Sequence, residues 1–361
     1  MNRRPKIGFV LLSPASDPIP STRVAVLNML PRLRAAGCGV EILYDPPRAN
    51  EIPELGLSAK AIAAAGFDIV CFQKVHGPAS EKLAHALAEH GVRTVYIVCD
   101  LVQTAMTGAT DATVVVTDFL KSQYPPHLQH KVHVVHDGIE RPAIRKAAWS
   151  QHVGSARQPL RAVLVTSSQL DTLPILDTPP PWLEVTIIGR YPEYASVWRR
   201  LRDMQWRLRH TDNLATAWRS VRFFAHPRIH CIPWHPDRVY DALQNADIGI
   251  IPIDTSADRD GPLTPGWKVK SENRLTLKMA MGLPVIATPI PAYLPVIEQG
   301  VNGFLARDHG EWLSCLETLR DPKTRQRIGE SARASVLTRY SQETQAIRLL
   351  QVIQSIPRQY R

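Results

Sequence analysis

Short runs of apolar residues alternate with amphipathic stretches along nearly the whole chain. Lys6–Leu12 reads as a strand. Ser21–Ala36 reads as a helix with Val24, Leu27, Leu30 and Leu33 on one face, stopped by Gly37. Val40–Leu43, Asp68–Phe72, Thr94–Val98, Ala112–Val116 and Val132–Val135 continue the strands, with helices such as Ser80–Ala88 between them. Near-continuous Val and Ile in strands that alternate with helices predicts parallel sheets covered on both faces. Periodicity lapses over residues 141–160 and then restarts. Arg161–Thr166, Glu184–Ile188, Ile229–Ile232, Ile248–Pro252 and Pro284–Ala287 read as strands. Asp237–Asn245, Glu272–Met281 and Glu311–Leu319 read as helices, followed by helices over 323–339 and 342–355.

The expected fold is therefore α/β, with two Rossmann-like parallel-sheet domains facing an inter-domain cleft. The boundaries expected are 1–155, 156–340 and a C-terminal helix within 341–361 that packs back toward the first domain. A length of 361 residues suits two domains. In such sheets, ligands sit beyond the carboxyl ends of the strands.

Composition narrows the partners. With 43 basic and 33 acidic residues the formal charge is +10, which favours anionic partners. No apolar run reaches the roughly 18 residues of a membrane span, and the N-terminus has no signal-peptide pattern, so a cytoplasmic protein is expected. The five cysteines are scattered without CxxC spacing, which argues against a disulfide framework or a zinc site. Most of the excess charge falls in Arg190–Arg228, with nine arginines against Glu193, Asp203 and Asp212. Tyr194, Trp198, Leu201, Met204 and Leu208 share a helical stripe there, with Trp206 and Trp218 close by. Two readings stand: a basic surface for anionic lipid at the inner face of the cytoplasmic membrane, or a helix on the sheet with a solvated arginine face. No nucleic-acid signature accompanies the charge.

The chemistry concentrates in Lys268–Thr288. Ser271 is a candidate N-cap for a helix that Gly282 closes. Lys268, Lys270 and Arg274 crowd the positive pole of that helix. Cations there oppose the macrodipole, an arrangement that makes sense around a bound anion such as a phosphate. The alternative is a solvated charge cluster balanced by Asp258 and Asp260.

The run Lys270–Thr288 resembles the donor-site segment of GT-B glycosyltransferases, especially glycosyltransferase family 4, in which a basic residue precedes a helix ending in Met-Ala-x-Gly-x-Pro-Val. Val134-Val-His-Asp-Gly-Ile139, Leu183–Gly189, Ile229–Pro252 (with Ala246-Asp247) and Gly300-Val-Asn-Gly303-Phe-Leu305 are similar to further family segments, in the same order. The resemblance implies a retaining sugar transferase that takes a nucleotide-sugar donor, needs no metal and carries no cofactor. It implies a donor site at Lys270, Ser271, Asn273 and Arg274; Gly189 and Arg190 are donor candidates by position alone, and Pro233 and Trp234 either border the nucleotide base or fill the domain edge. It also implies an acceptor that is a glycan or lipid-linked saccharide. Asp100 and His76 are the catalytic candidates, and Ser21, Thr22 and Arg23 the candidates for an acceptor or phosphate loop. Asp100 has a second reading, as a cap for a helix starting near Leu101; Ser21 and Thr22 have one as caps of the first helix. The chain departs from the family at Val269 and Leu277, where members usually carry glutamates. That departure supports one alternative, a non-catalytic sugar-nucleotide-binding protein; a GT-B sugar-nucleotide epimerase stands as a second.

Overall fold

The computed structural model describes residues 4–193, 197–209, 213–255 and 264–357. Tyr194, Asp212, Asp258 and Asp260 lie outside them. Among the described residues, twelve strands form two six-stranded sheets, with every strand pair parallel. The first contains β1 (Lys6–Val10), β2 (Gly39–Tyr44), β3 (Ile69–Gln73), β4 (Arg93–Val98), β5 (Ala112–Val115) and β6 (Val132–Val134), in the order β2-β1-β3-β4-β5-β6. The second contains β7 (Leu160–Val165), β8 (Leu183–Gly189), β9 (Ile229–Pro233), β10 (Ile248–Ile251), β11 (Val285–Ala287) and β12 (Phe304–Leu305), in the order β12-β11-β10-β7-β8-β9. Strand order reverses between β1 and β3 in the first sheet and between β7 and β10 in the second. The loops leaving two adjacent strands diverge there, and the backbone opens a crevice at their carboxyl ends.

The chain divides into two units, each drawing on separate stretches of sequence. One comprises Met1–Glu140, Gly261–Asn273 and Thr338–Arg361; the other comprises Arg141–Asp260 and Arg274–Leu337. In the first unit Ile7, Phe9, Ile69 and Val95 form a core with Leu33 and with Ala346, Leu349 and Ile353 of the helix Gln342–Ser355. In the second, Leu160, Ile187 and Ile248 pack with Trp312, Leu316 and Ile328.

The division falls at Glu140–Arg141, upstream of the boundary expected near 155. The intervening segment has no periodicity because hydrogen bonds, not an apolar face, hold it to the second unit. Lys146 N–H donates to Met281 O, and Ser150 Oγ donates to the buried Asp247 carboxylate. Arg333 reaches Pro142 O, and Arg325 reaches Ser150 O and His152 O.

The first long helix also differs from its expectation. It is broken into Pro20–Thr22, a π-helical turn Arg23–Leu27 and Leu30–Ala35. Pro31 has no N–H to continue the α ladder, so the turn before it widens and Asn28 N–H bonds Arg23 O instead. The N-cap position is Ile19, so neither Ser21 nor Thr22 caps this helix.

Candidate functional site

In the second unit, the loop after β7 borders the reversal of strand order and meets the turn after β8. Thr166 Oγ1 accepts from Ser168 N–H, and Ser168 O accepts from Arg190 N–H. Gly189 lies so close under this loop that a Cβ would come within 2.5 Å of Ser168 O and 2.9 Å of Thr166 Cγ2. Glycine is thus required by close approach of two backbones. Gly189 pairs with Pro233 across β8 and β9, and Gly189 O accepts from Trp234 N–H at 2.8 Å. Gly189, Arg190, Pro233 and Trp234 are therefore brought together, with Arg190 and Trp234 exposed.

Arg274 comes to the same end of the sheet from the helix Asn273–Ala280. Its guanidinium Nη2 donates to Ser167 Oγ at 2.8 Å. The helix is stopped by Gly282 at φ +84°, a left-handed position that glycine tolerates. A guanidinium beside the first turn of a helix, facing a loop at a sheet's reversal point, is an arrangement that receives an anion.

Lys278 lies one turn further along this helix and is fully buried, with its alkyl chain over Gly249 of β10. Its Nζ donates to Arg274 O at 3.3 Å. Burial, with the nearby Arg274 charge, pushes the ammonium down to about 7. A depressed lysine stabilises the fold fully only above its ordinary value near 10.5, and the benefit is lost as pH falls toward about 7. Urea melts should show this pH dependence in the wild type. Lys278→Met should abolish it and raise stability at pH 7 by about 1–4 kcal/mol.

Lys270, Ser271 and Asn273 group with the first unit, not with Arg274. Lys270 is exposed. The helix begins at Asn273, and Ser271 Oγ lies 3.5 Å from Asn273 N, the outer limit of a hydrogen bond. Ser271 is therefore a poor cap, and its hydroxyl favours the charged form of the Asp137 carboxyl beside it. Burial, with Glu272 beside it, pushes that carboxyl up to about 7. The buried Glu272 carboxylate meets His136 Nδ1 at 2.9 Å. Sequence reasoning passed over this Asp137–Ser271–Glu272–His136 cluster. The signal was the pair His136-Asp137 at the end of a strand.

The remaining first-unit candidates gather at the carboxyl ends of β1, β3 and β4. Gln73 Oε1 accepts from Leu12 N–H and from Thr22 Oγ1, and Ser13 Oγ lies 2.8 Å from Thr22 Oγ1. Lys74, at φ +59°, is the link between the catalytic candidates. Its ammonium lies 2.8 Å from Asp100 Oδ1 and 3.4 Å from Glu51 Oε1, and its carbonyl meets His76 Nδ1 at 3.1 Å. Burial alone would lower this ammonium, but Cys99, Asp100 and Glu51 together hold it above its ordinary value. His76 Nε2 lies 3.3 Å from Gln103 Nε2, which makes it the acceptor of that pair. The next helix is Thr104–Ala109 with Gln103 at its cap, so Asp100 is not a cap. Arg23 is engaged with Glu140 at 2.7 Å, and Ser21 is half-buried in the first turn.

Three other positions serve the fold. Val269 is buried in the first unit's core, and Leu277 packs beside Leu243 and Leu283. Asp247 lies at the amino end of β10, opposite the ligand-binding edge, where its carboxylate accepts from Arg161 N–H and Ser150 Oγ. Among the described residues, no group of three His, Cys, Asp or Glu side chains could hold a metal ion.

Residues 170–321 match the family described as glycosyl transferases group 1. No curated protein sequence matches the chain. Solved structures do, over nearly full length. Anabaena HepE in complex with UDP-glucose superposes with a TM-score of 0.64 at 13% identity, covering 98% of this chain and all of that one. A glycosyltransferase from Rickettsia africae gives 0.67 at 13% identity, covering 99% and 100%. The lipopolysaccharide outer core galactosyltransferase WaaB gives 0.60 at 12% identity, covering 97% and 99%.

Proposed function

We propose that this chain, which has the GT-B fold and matches the glycosyl transferases group 1 model over residues 170–321, is a glycosyltransferase that moves a sugar from a nucleotide-sugar donor to a glycan or lipid-linked saccharide. One observation carries the reading: Arg274, at the first turn of its helix, donates to Ser167 at the sheet's reversal point. An anion there neutralises the guanidinium and also meets the helix's positive end. The diphosphate of the donor supplies that anion. The leaving diphosphate gains charge as the glycosidic bond breaks, so the same groups favour the transition state over the ground state. This assigns to side chain and helix the charge stabilisation that a metal would otherwise provide, and chelation should leave transfer intact. Asp100 and His76 belong to the acceptor side in this reading, and the anomeric configuration is retained.

A screen of nucleotides and nucleotide sugars by thermal shift tests the proposal. HepE and its UDP-glucose make uridine diphosphate sugars the first to try. A true donor at about 100 times its Kd should add about 2.7 kcal/mol of stability. Failure of every nucleotide and nucleotide sugar to shift the melt would overturn it. NMR of the product's anomeric signal then decides retention. A second reading, binding without turnover, is favoured by the apolar Val269 and Leu277 and by the Lys74–Asp100 pair. It predicts a thermal shift without either transfer or slow donor hydrolysis.

A further inference from the structure

The helices Val197–Arg209 and Leu214–Ala225 carry a surface that the donor site does not use. The second helix turns Ala217, Ser220 and Phe223 inward, and Phe223 joins the core with Leu183 and Ile229. That face closes the core without the helix's other side, which presents Trp218, Arg219 and Arg222 to solvent. None of the described side chains of the first helix is buried. Trp198, Trp206 and Trp218 are 74%, 60% and 63% exposed, with Leu201 and Leu208 exposed beside them. Arg199, Arg202 and Arg209 alternate with these rings, and with Trp206 they line an open depression of about 620 Å³ that also touches Glu193 and Asp203. Of the stripe read from the sequence, Trp198, Leu201 and Leu208 are thus not spent on packing against the sheet, while Met204 is half-buried. Three exposed indoles in one region are more than scattered surface hydrophobes and mark an interaction site.

We propose that this surface docks on an anionic lipid bilayer. Indole rings prefer the headgroup level, where one edge is apolar and the N–H stays wet. Guanidinium groups between them meet lipid phosphates, and the depression among Arg199, Arg202 and Arg209 has room for a headgroup. A second copy of the chain is a poor occupant, because five exposed arginines would face five others. No described helix is long and apolar enough to cross a membrane, so attachment is peripheral.

The test is co-sedimentation of the full chain with phosphatidylcholine vesicles, with and without phosphatidylglycerol. Binding should require the anionic lipid and weaken with salt. The triple variant Arg202→Gln/Arg209→Gln/Arg219→Gln should bind about a hundredfold more weakly. The triple variant Trp198→Ser/Trp206→Ser/Trp218→Ser should lose at least about tenfold. Both should keep the wild-type melting temperature and the wild-type response to nucleotide sugars, which separates docking from donor binding. The proposal is overturned by absent binding, by equal binding to neutral vesicles, or by variants that bind like the wild type. Two further outcomes also overturn it: a dimer that the tryptophan variant dissolves, or a single-stranded oligonucleotide that displaces the vesicles.

Discussion

Arg274→Ala should lower kcat/KM for sugar transfer by about 10²–10³-fold, the usual loss when one preorganised donor to a developing anion is removed. The sign of the accompanying stability change discriminates the cause. Without a ligand, the guanidinium sits at the positive end of a helix, where a cation costs about 0.3–1 kcal/mol. Its side-chain bond to Ser167 is exposed and is replaced by water at little cost. The ligand-free variant should therefore melt at or slightly above the wild-type temperature while the stabilisation by nucleotide sugar disappears. Arg274→Lys keeps the charge but loses the planar fork, and should recover only part of the activity. An Arg274→Ala protein that responds fully to the donor would remove this residue from the site.

Arg325→Ala should be among the most destabilising single substitutions in the chain. Arg325 is 0% exposed. Its Nη1 donates to Leu319 O and Arg320 O at 2.8 and 2.6 Å, and its Nη2 donates to Ser150 O and His152 O at 2.7 Å each. Truncation leaves these carbonyls without their donor, and buried polar groups left unmade cost more than the bonds were worth. A loss of about 3–5 kcal/mol is expected, as for breaking a buried charged network, with the midpoint of urea unfolding as the measurement. Arg325→Lys has three donors to offer where the guanidinium has five, and should fall between. A midpoint within error of the wild type would show that water replaces the guanidinium.

The same arginine shows where sequence reasoning stopped. Strands were legible because buried parallel strands are written in Val and Ile, as in Ile69-Val-Cys-Phe72 and Ile248-Gly-Ile-Ile251. β12 was missed because two residues carry no period. The segment after Glu140 was illegible because its ties are backbone carbonyls reached by Arg325 and Arg333 from far along the chain. Local sequence does not mark such bonds. At the site, Arg274 and Gly189 stood out from spacing and from the family's motif. Lys74 did not, since a lysine after a strand carries no sign that it pairs with Asp100 and supports His76. Nor did the sequence show that Ser271 lies beside Asp137, because a hydroxyl at that position reads first as a cap.

The helix Gln342–Ser355 sets an order on synthesis. A leading domain ordinarily folds while the ribosome is still extending the chain, at about 5–20 residues per second. Here the face of the first sheet formed by Ile7, Phe9, Ile69 and Val95 waits for Ala346, Leu349 and Ile353 to cover it. Those residues emerge only after the whole of the second unit has been made. Until then the nascent chain carries an uncovered apolar surface, the kind of patch that a ribosome-associated chaperone holds. Release of that surface should coincide with docking of the last helix, so the two units reach their native state in the reverse of their order on the message.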